Sequence, residues 1–185
     1  MRPVRLLTCL LLALPLAACE PIYSPHTAWR TVDRLASPDA RLASLIEREA
    51  RRMVAAHPRL FQHSPLIAAS FVDIDRLGSS STFGRMASEL FAGTLAREGM
   101  LVREVKLRES LFIEASVGEL LLSREVEQLA RQHAARSMLV GTYAIGQSHL
   151  YLSVRIVQVG SALVLASSSL QLELTPNLRA LLGVY

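Results

Sequence analysis

Ten residues, Pro65 to Ile74 (PLIAASFVDI), are nearly all apolar, short, and bounded by turn formers. A run of that length without alternation suits a strand covered on both faces, as at the centre of an α/β sheet. Such a strand needs neighbours at its edges and helices over the sheet, and the rest of the chain supplies both. Ser37-Pro38-Asp39 predicts a helix start, with a capping hydroxyl, a proline at the first helical position and an acid in the first turn. Leu42, Leu45, Ile46, Met53 and Val54 share a face of that helix, and His57-Pro58 ends it. A second helix is expected over about residues 81–98, with Phe83, Met86, Ala87, Leu90 and Leu95 inward and Gly99 at its left-handed cap. Leu101, Val105 and Leu107 alternate with charges, which reads as a half-buried strand.

The second half repeats the logic. Ser123 opens a helix with Val126, Leu129, Ala130 and His133 on one face. Met138 to Ile145 is another apolar strand, and Leu150, Leu152, Val154 and Ile156 alternate with Tyr151, Ser153 and Arg155. Gly160 then turns the chain into a last strand from Ala162 to Leu174, so the end reads as an antiparallel meander. The order is αβαβαβββ: an α/β (α+β) fold, one three-layer-like domain with a mixed open sheet of about five strands.

The N-terminus decides where such a domain would reside. Arg2 and Arg5 precede an apolar run from Leu6 to Leu16 that is too short to span a bilayer as a permanent helix. Leu16-Ala17-Ala18 then leads into Cys19, which resembles a lipobox, with cleavage between Ala18 and Cys19 and acylation of Cys19. The residue after it is Glu20 rather than the Asp associated with inner-membrane retention, which directs the chain to the periplasmic face of the outer membrane. Residues 1–18 are therefore a signal peptide, and residues 19–36, with Pro21 and Pro25, a tether. Residues 37–58 are an N-terminal helix, 59–175 the α/β domain and 176–185 a C-terminal tail. Loss of Arg2 and Arg5 with the signal halves the formal charge of +4. Arginines are spread from Arg30 to Arg179 and Lys106 is the single lysine, so no nucleic-acid footprint is present. Cys9 leaves with the signal and Cys19 is the lipidated residue, so the domain is held by its core rather than by disulfides.

Chemistry is concentrated, if anywhere, in Asp73-Ile74-Asp75-Arg76-Leu77-Gly78-Ser79-Ser80-Ser81, between a buried strand and a helix start, where α/β folds place ligands. Free amides there could attract an anion. The stretch lacks the spacing and the lysine of a phosphate-binding loop. The alternative is structural: Ser79 to Thr82 cap the helix, and Asp73 or Asp75 pairs with Arg76 or Arg85. The five histidines show no metal-ligand spacing, and the serines fail the Gly-x-Ser-x-Gly pattern of a nucleophile elbow. No catalytic constellation, cofactor or metal is expected.

Five segments then occur in order. They are Ala69-Ser70-Phe71-Val72-Asp73-Ile74-Asp75, the loop and helix start from Leu77 and Gly78 through Ser80, Ser81, Phe83, Gly84 and Arg85, and Leu107 to Ile113. Gly118 to Glu125 and Leu139-Val140-Gly141-Thr142-Tyr143-Ala144 complete the set. Together, over about residues 60–175, they resemble the FlgO domain of outer-membrane lipoproteins associated with the bacterial flagellum. The resemblance implies a non-enzymatic accessory protein supporting flagellar assembly, stability or motility. Its partners would be the outer membrane through its lipid, other envelope or flagellar proteins, and further copies of itself. It also implies a sheet similar to the curli-channel periplasmic domain and the TolB N-terminal domain. Asp73, Asp75, Arg76, Gly78, Ser80, Ser81, Phe83, Gly84 and Arg85 would form its recognisable interaction loop. Two other functions fit the same residues: a subunit of an outer-membrane export ring resembling the curli channel, and an anion- or small-ligand-binding module.

Overall fold

The computed structural model describes residues 38–103, 128 and 130–184. Helix α1 (Pro38–Ala56) is followed by a 3-10 helix (Pro58–His63), strands β1 (Leu66–Ala68) and β2 (Val72–Asp73), helix α2 (Thr82–Arg97) and strand β3 (Val102–Arg103). After the segment outside the described residues come β4 (Ser137–Ile145), β5 (His149–Gln158), β6 (Val164–Glu173) and helix α3 (Pro176–Leu182). The six strands form one mixed sheet in the order β3-β1-β4-β5-β6. β2 pairs with β4 further along the lane that β1 occupies, so among the described residues the sheet is five positions wide. β1, β2 and β3 run parallel to their neighbours, and β4, β5 and β6 form the antiparallel meander that the sequence predicts.

β1 is covered on both faces, as its unbroken apolar sequence requires. Leu66 enters the larger core, with α1 and α2, and Ile67 enters a second cluster with Ala130, Met138, Val140 and Val157 on the opposite face. Both side chains are fully buried. Gln128 and residues 130–132 are helical, which is the described part of the third helix. The large core is dominated by Phe71, Phe83, Phe91, Leu95, Leu139, Leu150 and Leu152. Each such burial contributes about 1.5–3 kcal/mol, so this face sets the stability and the caps, at about 1 kcal/mol, trim it.

Four expectations need correction. The strand expected over 65–74 is broken at Ala69–Phe71. There the backbone leaves β4 after a last bond, Ala69 N–H to Leu139 O over 2.9 Å, and turns to α2: Phe71 N–H donates to Gly84 O over 3.2 Å. The Ser80 hydroxyl donates to Phe71 O over 2.8 Å, and the Ser88 hydroxyl to Ala69 O over 2.6 Å. The Phe71 ring fills the space left by Gly141 on β4 and meets Phe91 edge-on at 5.8 Å. An apolar run cannot reveal this break, because the displaced residue is as buried as its neighbours.

On α1 the buried stripe is Leu42, Ile46, Ala50, Met53 and Val54, whereas Leu45 is on the rim. It lies one helical step, about 100°, off that stripe. On β3 the phase is reversed: Leu101 is exposed and Val102 is turned toward the core. Residues 176–185 are more than a tail. Thr175 caps α3 by accepting from Leu178 N–H at 3.1 Å, and Pro176 opens the helix. Gly183 closes it at φ 72°, while Leu178 and Leu182 are buried in the large core.

Candidate functional site

The loop that joins β2 to α2 contains most of the residues singled out from sequence. β2 ends at Asp73, whose side chain is buried. One carboxylate oxygen accepts the Asp75 N–H at 3.0 Å, folding the chain back on itself. The other accepts from Arg76, from Nη2 at 2.9 Å and Nε at 3.3 Å. The main chain closes the same turn, with Arg76 N–H donating to Asp73 O over 3.0 Å. The Arg76 guanidinium is held above its ordinary pKa, first by its hydrogen bond to Asp73 and then by that residue's charge. Because the folded value lies above the unfolded one, this contribution is complete at neutral pH and is lost only in strong alkali.

Of the Asp–Arg pairings that the sequence leaves open, Asp73 or Asp75 with Arg76 or Arg85, the structure contains Asp73 with Arg76. Asp75 is exposed. Arg85 does something else: Nη1 donates to Ser80 O over 3.0 Å and Nη2 to Thr82 Oγ over 3.2 Å, so it straps the loop to the first turn of α2. Gly78 stands in the exposed turn between these two anchors, with open space around it.

Ser81 is the N-cap of α2. Its Oγ accepts from Gly84 N–H at 3.1 Å and also from the Tyr143 hydroxyl at 2.8 Å. Ser80 is directed to Phe71 O, so the two adjacent hydroxyls hold the helix start to β4 and to the β1–β2 break respectively. Phe83 is fully buried and meets Tyr143 edge-on, ring centroids 5.6 Å apart. Gly84 lies so close to the Phe71 carbonyl that no side chain fits there. The loop is thus a set of short internal bonds that hold a strand end, a helix start and β4 in one rigid unit.

Beside it, on the sheet face opposite the large core, Ile74, Thr142, Ala144, Tyr151, Ser153 and Gln171 line an open groove of about 370 Å³. Sequence reading did not find Tyr143, Phe71 and Gly141 as parts of this unit. Their signal is tertiary, since Tyr143 meets Ser81 across 62 positions of the chain. Ala18, Cys19 and the segments Leu107–Ile113 and 118–125 lie outside the described residues. Among the described residues no group of His, Cys, Asp or Glu could hold a metal ion.

Comparison with known proteins gives one family. A model of the FlgO protein matches residues 47–177. No curated protein matches the chain. The LpoB C-terminal domain from Escherichia coli is 17% identical, with a TM-score of 0.49, covering 69% of this chain and 94% of that one. Its counterpart from Salmonella enterica is 16% identical, with a TM-score of 0.47 over the same shares. Lipoprotein GNA1162 from Neisseria meningitidis is 16% identical, with a TM-score of 0.40, covering 60% of this chain and 81% of that one. The family match runs from the middle of α1 into α3, takes in the whole loop from Asp73 to Arg85, and covers well over half of the 185 residues; the chain belongs to the FlgO family.

Proposed function

We propose that this protein is a lipid-anchored accessory protein of the outer membrane, facing the periplasm, which supports flagellar assembly, stability or motility through protein–protein contacts and catalyses no reaction. The observation that carries the proposal is the order of two features in one chain. A lipobox-like Leu16-Ala17-Ala18-Cys19 precedes a FlgO domain that starts by residue 47. Two or three acyl chains on Cys19, at about 0.8 kcal/mol per buried CH₂, would hold the domain at a bilayer. The loop supports the non-enzymatic part of the reading. The Ser80 and Ser81 hydroxyls and the Asp73 carboxylate are each engaged in holding local structure. A rigid loop beside an open sheet face is suited to presenting a surface to another protein.

The test has two arms. Membrane fractionation of cells expressing the wild type or Cys19→Ser reads the anchor; outer-membrane attachment that is unchanged in the variant defeats it. Swimming and flagellar retention in a deletion strain, complemented by each form, read the role. Full motility in the deletion strain removes the flagellar assignment and leaves family membership intact.

A further inference from the structure

Four large apolar side chains stand exposed at one end of the sheet: Phe61 (41% exposed), Leu101 (66%), Leu163 (58%) and Val164 (47%). Hydrogen bonds tie the segments that carry them into one surface. Leu101 N–H donates to Ser64 Oγ over 3.3 Å, which sets Leu101 beside the 3-10 helix bearing Phe61. The Ser137 hydroxyl donates to His63 O over 2.8 Å, Val159 N–H to Arg136 O, and Gln158 N–H to Leu163 O. These bonds carry the surface on to the β5–β6 turn. Between the 3-10 helix and that turn lies a cleft of about 460 Å³, apolar along Leu163–Leu165 and edged by His57, Arg59 and His63.

The cations at this end are exposed. Arg59 projects from the 3-10 helix, and Arg136 bonds a main-chain oxygen, Gln62 O at 3.4 Å, rather than a carboxylate. Arg103 on β3 is exposed as well, and among the described residues Glu98, the C-cap of α2, is an exposed carboxylate at this end. Leu163 and Val164 line that cleft, whereas Phe61 and Leu101 are not among its lining and sit on segments that also carry Arg59 and Arg103. That pattern fits a lipid interface, where apolar side chains enter the headgroup region and arginines meet anionic headgroups.

We propose that the end of the sheet bearing Phe61, Leu101 and Leu163 rests on a bilayer that contains anionic lipid. Its setting rests on the anchor reading above, since Cys19 would keep a bilayer within reach. Fully extended, the 18 residues between Cys19 and α1 would reach at most about 60 Å, roughly twice the length of the 19-residue α1 at about 28 Å. A span of that reach does not dictate which end of the domain faces the lipid, and the surface chemistry selects this one.

The test uses the mature chain, residues 19–185, carrying Cys19→Ser so that no acyl chain contributes. It is cosedimented with phosphatidylethanolamine vesicles containing phosphatidylglycerol, and separately with phosphatidylcholine vesicles. The chain is expected to bind the anionic vesicles several-fold more tightly. Leu101→Ser with Leu163→Ser lowers that binding about tenfold, and Arg59→Glu lowers it at least about fivefold. Ile74→Ser, exposed at the opposite end of the sheet, leaves it unchanged. Equal binding to both vesicles, binding to neither, or equal losses from Ile74→Ser and Leu101→Ser would overturn the proposal. Capture of a polyglutamate peptide at Arg59 without vesicle binding would also overturn it, in favour of a protein partner. Since the tested chain has no lipid, the two readings fail separately. An unmodified Cys19 in cells defeats the anchor, and an acylated protein whose unlipidated form ignores vesicles defeats the docking surface.

Discussion

The carbonyl oxygen of Phe71 occupies the space in which a side-chain carbon on Gly84 would stand. This contact is where the broken strand meets the first turn of α2. The neighbouring bonds, Phe71 N–H to Gly84 O and the Ser80 hydroxyl to Phe71 O, prevent either backbone from retreating. Gly84→Ala is therefore expected to destabilise the domain by about 1–3 kcal/mol or more, although alanine is the better helix former. Urea denaturation checks it, and a gain in stability would mean that the helix start is free to shift.

Gly141 stands in the same relation to the Phe71 ring, whose nearest atoms lie 2.5 Å from where a Cβ would be. Gly141→Ala alone is expected to cost about 1–3 kcal/mol through overpacking. Combined with Phe71→Leu, the total loss is expected to be smaller than the sum of the two single losses, because the smaller side chain makes room for the added methyl. A double-mutant cycle by urea denaturation measures this coupling. Strict additivity would show that the ring and the glycine do not share that space.

Ser81 serves both a helix cap and a tyrosine. Ser81→Ala is expected to lower stability by about 1 kcal/mol from the lost cap, and by somewhat more because Tyr143 loses its acceptor. Tyr143→Phe removes only the second bond and is expected to cost less than Ser81→Ala. Thermal melting of the two variants checks the order, and the reverse order would place the main role of Tyr143 outside this bond.

The C-terminal helix belongs to the core. Leu178→Ala is expected to cost about 2–5 kcal/mol, the range for a buried leucine. Deleting residues 176–185 is expected to lower the melting temperature sharply, whereas the loss of a mere tail would leave it unchanged. Circular dichroism on heating reads both variants.

Much of the candidate site was legible, but not which residue does what. A serine run before an amphipathic stretch announces a capped helix, and Ser81 is that cap. Which of four successive hydroxyl residues takes the position depends on where the helix begins. That start is set by the approach of Gly84 to Phe71 and by the reach of Tyr143, contacts far apart in the chain. The Asp73–Arg76 pairing was one of several open to sequence, and the turn closed by the Asp73 carboxylate selected it. α3 had its signals in plain view, Thr175-Pro176 and Gly183, yet its seven residues are too few to show a periodicity.

By itself the chain determined what depends on period and composition: helices at 3.6-residue spacing, a continuous apolar strand and an alternating one in the meander, and a doubly covered strand at Leu66-Ile67. Tertiary structure alone decided the rest. The break at Ala69–Phe71, the phase of β3 and the exposure of Leu101 and Leu163 follow from where backbones touch and where sheet ends leave side chains uncovered. Hydrophobic patterning records how much a residue gains from leaving water, not which neighbour it meets when it does.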